Sequence, residues 1–245
     1  MKPISKEAII AYVEDNIPDF HLNRIEKLKK LKLNKVLKRK NPYLFKVKNV
    51  NTAGDFVKTI LGAHLSSQEE TLFGGFLEGL AIYICNYVYN GIKSSAEGID
   101  LEFEKDNAKY IVSIKSGPNW GNSSQIKKMK DNFRKTKRIL GTNVATSTNV
   151  IAVNGCCYGK DNVPDKGEYL KLCGQYFWEF VSGNANLYTE IVEPLGHKAK
   201  EKNDQFYIEY AKVINKFSME FMGMFCDSSG EILWEKVVKF NSGIK

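Results

Sequence analysis

The chain has 245 residues, 43% of them apolar and 26% charged, with a net charge of +8. It is long enough to bury a sizeable core, and this composition excludes disorder as the default state. No apolar run approaches the roughly 18 residues of a membrane span and no signal-peptide pattern opens the chain. Five cysteines without a CxxC and three histidines supply neither a disulfide ladder nor a zinc site. Cys156 and Cys157 are adjacent and read as buried free thiols, so a cytoplasmic protein is expected.

The charge is uneven. Between Arg24 and Lys48 stand 11 basic residues and a single acid, Glu26, and from Lys127 to Arg138 seven basic residues face Asp131 alone. Without these two stretches the remainder is acidic. Clustered cations are the footprint of a polyanion partner, because each phosphate contacted releases condensed counterions. The bland alternative is a solvated helix face.

In chain order, residues 1–60 read as a basic, mostly helical arm in which Leu28, Leu31 and Leu37 form an apolar stripe that ends at Asn41-Pro42. Ser66 with Glu69, or Ser67 with Glu70, forms a capping box that starts the next helix. That helix, through Phe73, Phe76, Leu77, Leu80, Ile84 and Val88, is apolar nearly all round and belongs in a core. Gly74, Gly75 and Gly79 allow another backbone to approach it. Leu101–Glu104 and Ala108–Lys115 are strand-like runs joined by a charged turn at Lys105-Asp106-Asn107, a hairpin. A helix capped by Asn122 or Ser123 reaches about Leu140, and Asn149–Asn154 is a buried strand. From Lys166 onward the chain reads as aromatic and helical. Strand, strand, helix, strand makes an α/β core with a mixed sheet. With no repeats or linker, residues 1–245 are read as a single domain, with a core over 61–160 and a helical part over 161–245.

Asp100 opens this hairpin and Ser113-Ile114-Lys115 closes it. Together they resemble the PD-(D/E)XK nuclease signature. The string Ser113–Ser123, with Arg39-Lys40-Asn41-Pro42-Tyr43-Leu44-Phe45-Lys46 and Glu69-Glu70-Thr71-Leu72-Phe73-Gly74 running on to Phe76-Leu77-Glu78, is similar to a group of type II restriction endonucleases. The resemblance spans roughly residues 35–140, and more weakly Trp234-Glu235-Lys236. It implies a restriction-endonuclease-like α/β fold, a central mixed β-sheet flanked by helices with helical N- and C-terminal elaborations. It also implies Mg²⁺-dependent, sequence-specific hydrolysis of double-stranded DNA to 5′-phosphate ends.

A carboxylate that holds a hard cation beside a lysine that steadies a phosphate is what such hydrolysis needs. Asp100 is expected to bind metal, against the alternative of a strand-entry turn residue. Lys115 is expected to orient the attacking water or stabilise the phosphate, against a lysine that merely snorkels from a strand end. Ser113 departs from the pattern, which places an acid there. Glu78 is the expected substitute, its alternative being a salt bridge; Glu102 ranks behind it as a metal ligand. DNA contacts are expected from Lys38, Arg39 and Lys40, from Asn119, Trp120, Asn122, Ser123 and Gln125 after the lysine, and from Lys127 and Lys128. Trp120 packs either on DNA or on its own loop, and Gln125 either meets a phosphate or completes a capping box with Asn122.

Cutting both strands of a palindrome argues for a homodimer, and a cognate DNA methyltransferase is the genomic partner. The rivals are a structure-specific repair or junction nuclease on the same core, and a DNA-binding protein whose catalytic site has decayed at Ser113.

Overall fold

The structure, a computed structural model, describes residues 2–142 and 149–244. They group into two compact units, one formed by residues 1–18 and 73–197, the other by 19–72 and 198–245.

Helix α1 spans Lys6–Lys29, α2 Leu33–Leu37 and α3 Pro42–Val47. Asn41-Pro42 does interrupt the helical arm, and it also starts α3. The Asn41 side chain accepts the Tyr43 amide at 3.0 Å, and Pro42 fills the first helical position, where a missing N–H costs nothing. Helix α4 then runs unbroken from Ala53 to Tyr89. The capping box expected at Ser66 or Ser67 is therefore overturned, since both lie mid-helix and exposed. The cap that forms is Thr52, whose hydroxyl accepts the Asp55 amide at 3.1 Å and donates to the Asp55 carboxylate at 2.7 Å. Serine is only a mild helix breaker, so strong formers on both sides carry the helix through it. By length and composition α4 is apolar enough to cross a membrane. Core helices share this composition, and Leu77, Leu80, Ala81, Ile84, Cys85 and Val88 are buried.

The first unit is built on a mixed five-stranded sheet in sequential order. Strands β1 (Ile92–Lys93), β2 (Leu101–Lys105) and β3 (Ala108–Lys115) pair antiparallel. After α5 (Ser123–Thr142), strands β4 (Asn149–Cys156) and β5 (Leu170–Cys173) extend the sheet in parallel from β3. The β2–β3 hairpin turns at Asp106 and Asn107, with φ of 51° and 59°. A two-residue hairpin loop needs this left-handed backbone, and Asp and Asn tolerate it. Helix α5 buries Met129 and Phe133 against Ile99, Ile111 and Ala152, so the parallel crossover is covered by an apolar face. The expectation of a wholly helical chain after Lys166 is corrected by β5, whose four residues carry too little alternation to announce a strand. Beyond it lie α6 (Gln175–Ser182), α7 (Leu187–Glu190) and α8 (Val192–Leu195). The α6 residue Trp178 is buried and donates its indole N–H to the Cys157 carbonyl at 2.8 Å.

The second unit is helical. Its core joins α2, α3 and the first half of α4 to α9 (Ala199–Phe225) and α10 (Trp234–Ser242) through Phe45, Phe56, Phe217, Phe221 and Val237. Arg24, only 8% exposed, is clasped by Glu69, Asn203 and the face of Phe206. All five cysteines are free, and four of them are buried.

Candidate active site

The antiparallel ladder extends one residue upstream of β2, where the Asp100 amide donates to the Val112 carbonyl at 2.8 Å. The Asp100 carboxylate then takes over as acceptor for the next strand amide, Ile114 N–H to Oδ2 at 2.6 Å. This bond orients the carboxylate without exhausting its lone pairs. Lys115, the last residue of β3, holds its Nζ 3.8 Å from the same oxygen and donates to the Ile114 carbonyl at 2.9 Å. The aspartate opening one strand and the lysine closing the next do meet, as the hairpin requires.

Lys115 has a third neighbour. Its ammonium lies 5.4 Å from the ring centroid of Trp120, in cation–π range. The indole N–H of Trp120 donates to Asn154 Oδ1 at 3.1 Å, and the Asn154 amide donates to the Ser113 carbonyl at 3.1 Å. Asn154 is 1% exposed and pairs in register with Ser113 across the parallel ladder. Trp120 is thus packed onto its own loop and joins the apolar cluster beneath α5. Asn154 was missed by sequence reasoning, although a polar residue directly after apolar Val153 in a buried strand was the available signal.

Glu78 comes from α4. A Cβ at Gly74, one turn earlier, would meet Ser116 Cβ at 3.3 Å, so the missing side chain lets the residue after Lys115 sit against this helix. Burial pushes the Glu78 carboxyl up, and the Asp100 negative charge pushes it further, against smaller opposing effects of Lys93 and Lys115. The two carboxylates and Lys115 therefore share one electrostatic neighbourhood. The salt-bridge alternative is present but weak, because Lys93 reaches Glu78 only at 4.0 Å with a largely exposed side chain.

Ser113 is buried and contributes no charge. Glu102 is engaged elsewhere: it accepts from Ser94 at 2.6 Å and pairs with Lys109 at 3.0 Å. Burial would raise its carboxyl, but these two donors outweigh burial and lower it. Gln125 and Asn122 form a reciprocal capping box at the start of α5, next to Ser123, with bonds of 2.9 and 3.1 Å. Asn119, Lys127 and Lys128 are exposed. Part of the α5 basic cluster is neutralised, Lys128 by Glu97 at 3.3 Å and Lys130 by Glu168 at 3.2 Å. Lys38, Arg39 and Lys40 lie between α2 and α3 in the second unit.

Among the described residues no group of three or more His, Cys, Asp or Glu forms a complete metal ligand set. Asp100, Glu78 and the Ile114 carbonyl are nevertheless hard oxygen donors. They suit Mg²⁺, which is held by one or two carboxylates and keeps waters in its remaining positions.

No curated protein matches the chain significantly. A family model described as type II restriction endonuclease EcoO109I matches residues 7–203, a span that includes the sheet, Glu78 and the Asp100–Lys115 hairpin. The chain therefore belongs to the EcoO109I family of type II restriction endonucleases.

Proposed function

We propose that this protein hydrolyses double-stranded DNA at a short specific sequence with Mg²⁺, leaving 5′-phosphate and 3′-hydroxyl ends. The observation that carries the reading is the Asp100–Lys115 pair, 3.8 Å apart at the end of β3, with Glu78 electrostatically coupled to both. Asp100 and Glu78 would hold the cation together with the Ile114 carbonyl. A divalent cation supplies Lewis acidity, making a water more acidic and offsetting charge on the phosphoryl oxygens. The Ile114 amide fixes the direction of the Asp100 carboxylate. Lys115 supplies a positive charge and N–H donors for the attacking water or for the pentacoordinate phosphate. Glu102 stays with Lys109 and Ser94 and takes no part. Trp120, Asn122 and Gln125 build the loop, leaving Asn119, Ser123 and Lys127 as DNA contacts, with Lys128 exchanging its Glu97 partner for a phosphate; Lys38, Arg39 and Lys40 of the second unit are further contacts.

One such site cuts one strand, so a two-fold homodimer in the cytoplasm, with a methyltransferase that guards the same sequence in the cell's own DNA, completes the reading. The test is cleavage of duplex DNA with Mg²⁺ and with EDTA, followed by ligation of the fragments without prior phosphorylation. Fragments that appear only with Mg²⁺ and religate directly support the reading; Mg²⁺-independent cutting or unligatable ends reject it. Ser113 favours one second reading, a DNA-binding protein that has lost catalysis, for which DNA would be bound and left intact with every divalent metal.

A further inference from the structure

Residues 27–54 contain ten cations and no acid. Lys29 and Lys30 are paired with Glu209 and Glu26. Among the described residues the seven cations from Lys32 to Lys48 have no ion pair, and Lys32, Lys35, Lys38, Arg39, Lys46 and Lys48 are exposed. This segment is built rather than loose. The Asn241 side-chain amide donates to the carbonyls of Leu37 and Lys40, both at 3.0 Å, which clamps the turn between α2 and α3. Asn41 caps α3, and Phe45 anchors it inward on Phe56 with ring centroids 5.0 Å apart. The opposite side of α3 carries three apolar residues in the open, Tyr43 at 60%, Leu44 at 47% and Val47 at 83% exposure.

An exposed apolar face inside an uncompensated cationic patch narrows the choice of occupant. A second copy of this chain would set seven cations against seven across a two-fold axis, which repels. A phosphate-only patch has no use for Tyr43, Leu44 and Val47. Duplex DNA satisfies both features, since its phosphates take the cations while thymine methyls and groove walls take apolar tips. An α-helix such as α3, about 10–12 Å across with its side chains, fits a major groove about 12 Å wide.

We infer that residues 38–48 are a sequence-reading element. The outer face of α3 lies against base edges, and Lys38, Arg39, Lys40, Lys46 and Lys48 hold the flanking phosphates. The inference rests on the proposed DNA cleavage and names the segment that would give it specificity.

The experiment uses the full chain with Ca²⁺ in place of Mg²⁺, and two labelled duplexes: one carrying the sequence that the wild type cuts, the other the same bases scrambled. Tyr43→Ala and Val47→Ser should each lower the ratio of specific to non-specific affinity by about tenfold and leave the salt dependence unchanged. Lys38→Gln and Lys48→Gln should weaken both duplexes alike and reduce the salt slope by about one unit each. An unchanged ratio in Tyr43→Ala and Val47→Ser, with the wild type still cutting, overturns this inference alone. Dissociation of a dimer by those two substitutions assigns the face to a second copy and also overturns it. A wild type that cuts no duplex removes the underlying reading, and this inference with it.

Discussion

The Lys115 ammonium lies over the ring of Trp120, and Trp120 is fixed in turn by the buried amide of Asn154. The lysine is thereby held between a carboxylate and an aromatic face. Trp120→Phe keeps a ring beneath the ammonium but leaves Asn154 Oδ1 with only the weak Cys156 thiol donor at 4.0 Å, and Trp120→Leu removes the ring as well. The expected result is that Phe lowers thermal stability while retaining most single-turnover cleavage. Leu should lose roughly 10- to 100-fold in cleavage, the scale of a misplaced catalytic group, with DNA affinity in Ca²⁺ unchanged. Equal cleavage by the two variants would reduce Trp120 to loop packing.

Asp100→Ala and Lys115→Ala should abolish cleavage and leave DNA binding largely intact. Glu78→Gln separates the two readings of that residue. A metal-holding role predicts a loss of about 10²-fold or more in Mg²⁺-dependent rate. A role confined to Lys93 predicts only a small stability change, because the pair is long at 4.0 Å and the Lys93 side chain is 73% exposed.

How legible this site was in the sequence differs from part to part. The hairpin announced itself because Asp106 and Asn107 are turn formers set between two short strand-like runs, and two strands joined by so short a loop can only fold back. Glu78 was legible as an acid among apolar neighbours. Glu102 was misjudged because strand alternation places it on a face without saying that Ser94 and Lys109 already occupy it. The start of α4 was misplaced because Ser66-x-x-Glu69 matches a capping box locally, whereas the helix runs unbroken through it from a cap at Thr52. The Trp120–Asn154 bond joins residues 34 apart in sequence, which no local pattern reports.

Asp161 predicts an acid-sensitive loop. The Lys166 ammonium, bonded at 2.9 Å, is the main cause that brings its carboxyl down to about 2 from a usual 3.8. The Val163 amide and Lys171 add to this against partial burial. Lys171 also donates to the Pro118 carbonyl at 3.1 Å, tying Asp161 to the loop after Lys115. The folded value lies below the unfolded one, so the stabilisation is complete above about pH 4 and fades as pH falls toward 2. Denaturation midpoints taken from about pH 5 to about pH 2 should fall less steeply in Asp161→Asn than in the wild type. Parallel curves would contradict the pairing.

Arg24 predicts a stability hot spot in the helical unit. Its Nε and Nη2 donate to Glu69 Oε1 at 2.7 and 2.6 Å, and its Nη1 donates to Asn203 at 2.9 Å. Arg24→Ala should cost about 2–3 kcal/mol, less than a fully buried pair because Glu69 is one-third exposed. Arg24→Lys should recover little, since an ammonium cannot span both partners and lie flat on Phe206. A loss in Arg24→Ala below about 0.5 kcal/mol by urea denaturation would rule out the clasp.

Metal-dependent, site-specific cleavage is read out by digestion of unmethylated phage DNA of known sequence with Mg²⁺ and with EDTA, followed by sequencing of the ends. The expected products are discrete fragments, formed only with Mg²⁺, whose ends share one short motif. DNA that is bound yet intact across several divalent metals, or a smear without a common motif, would contradict it.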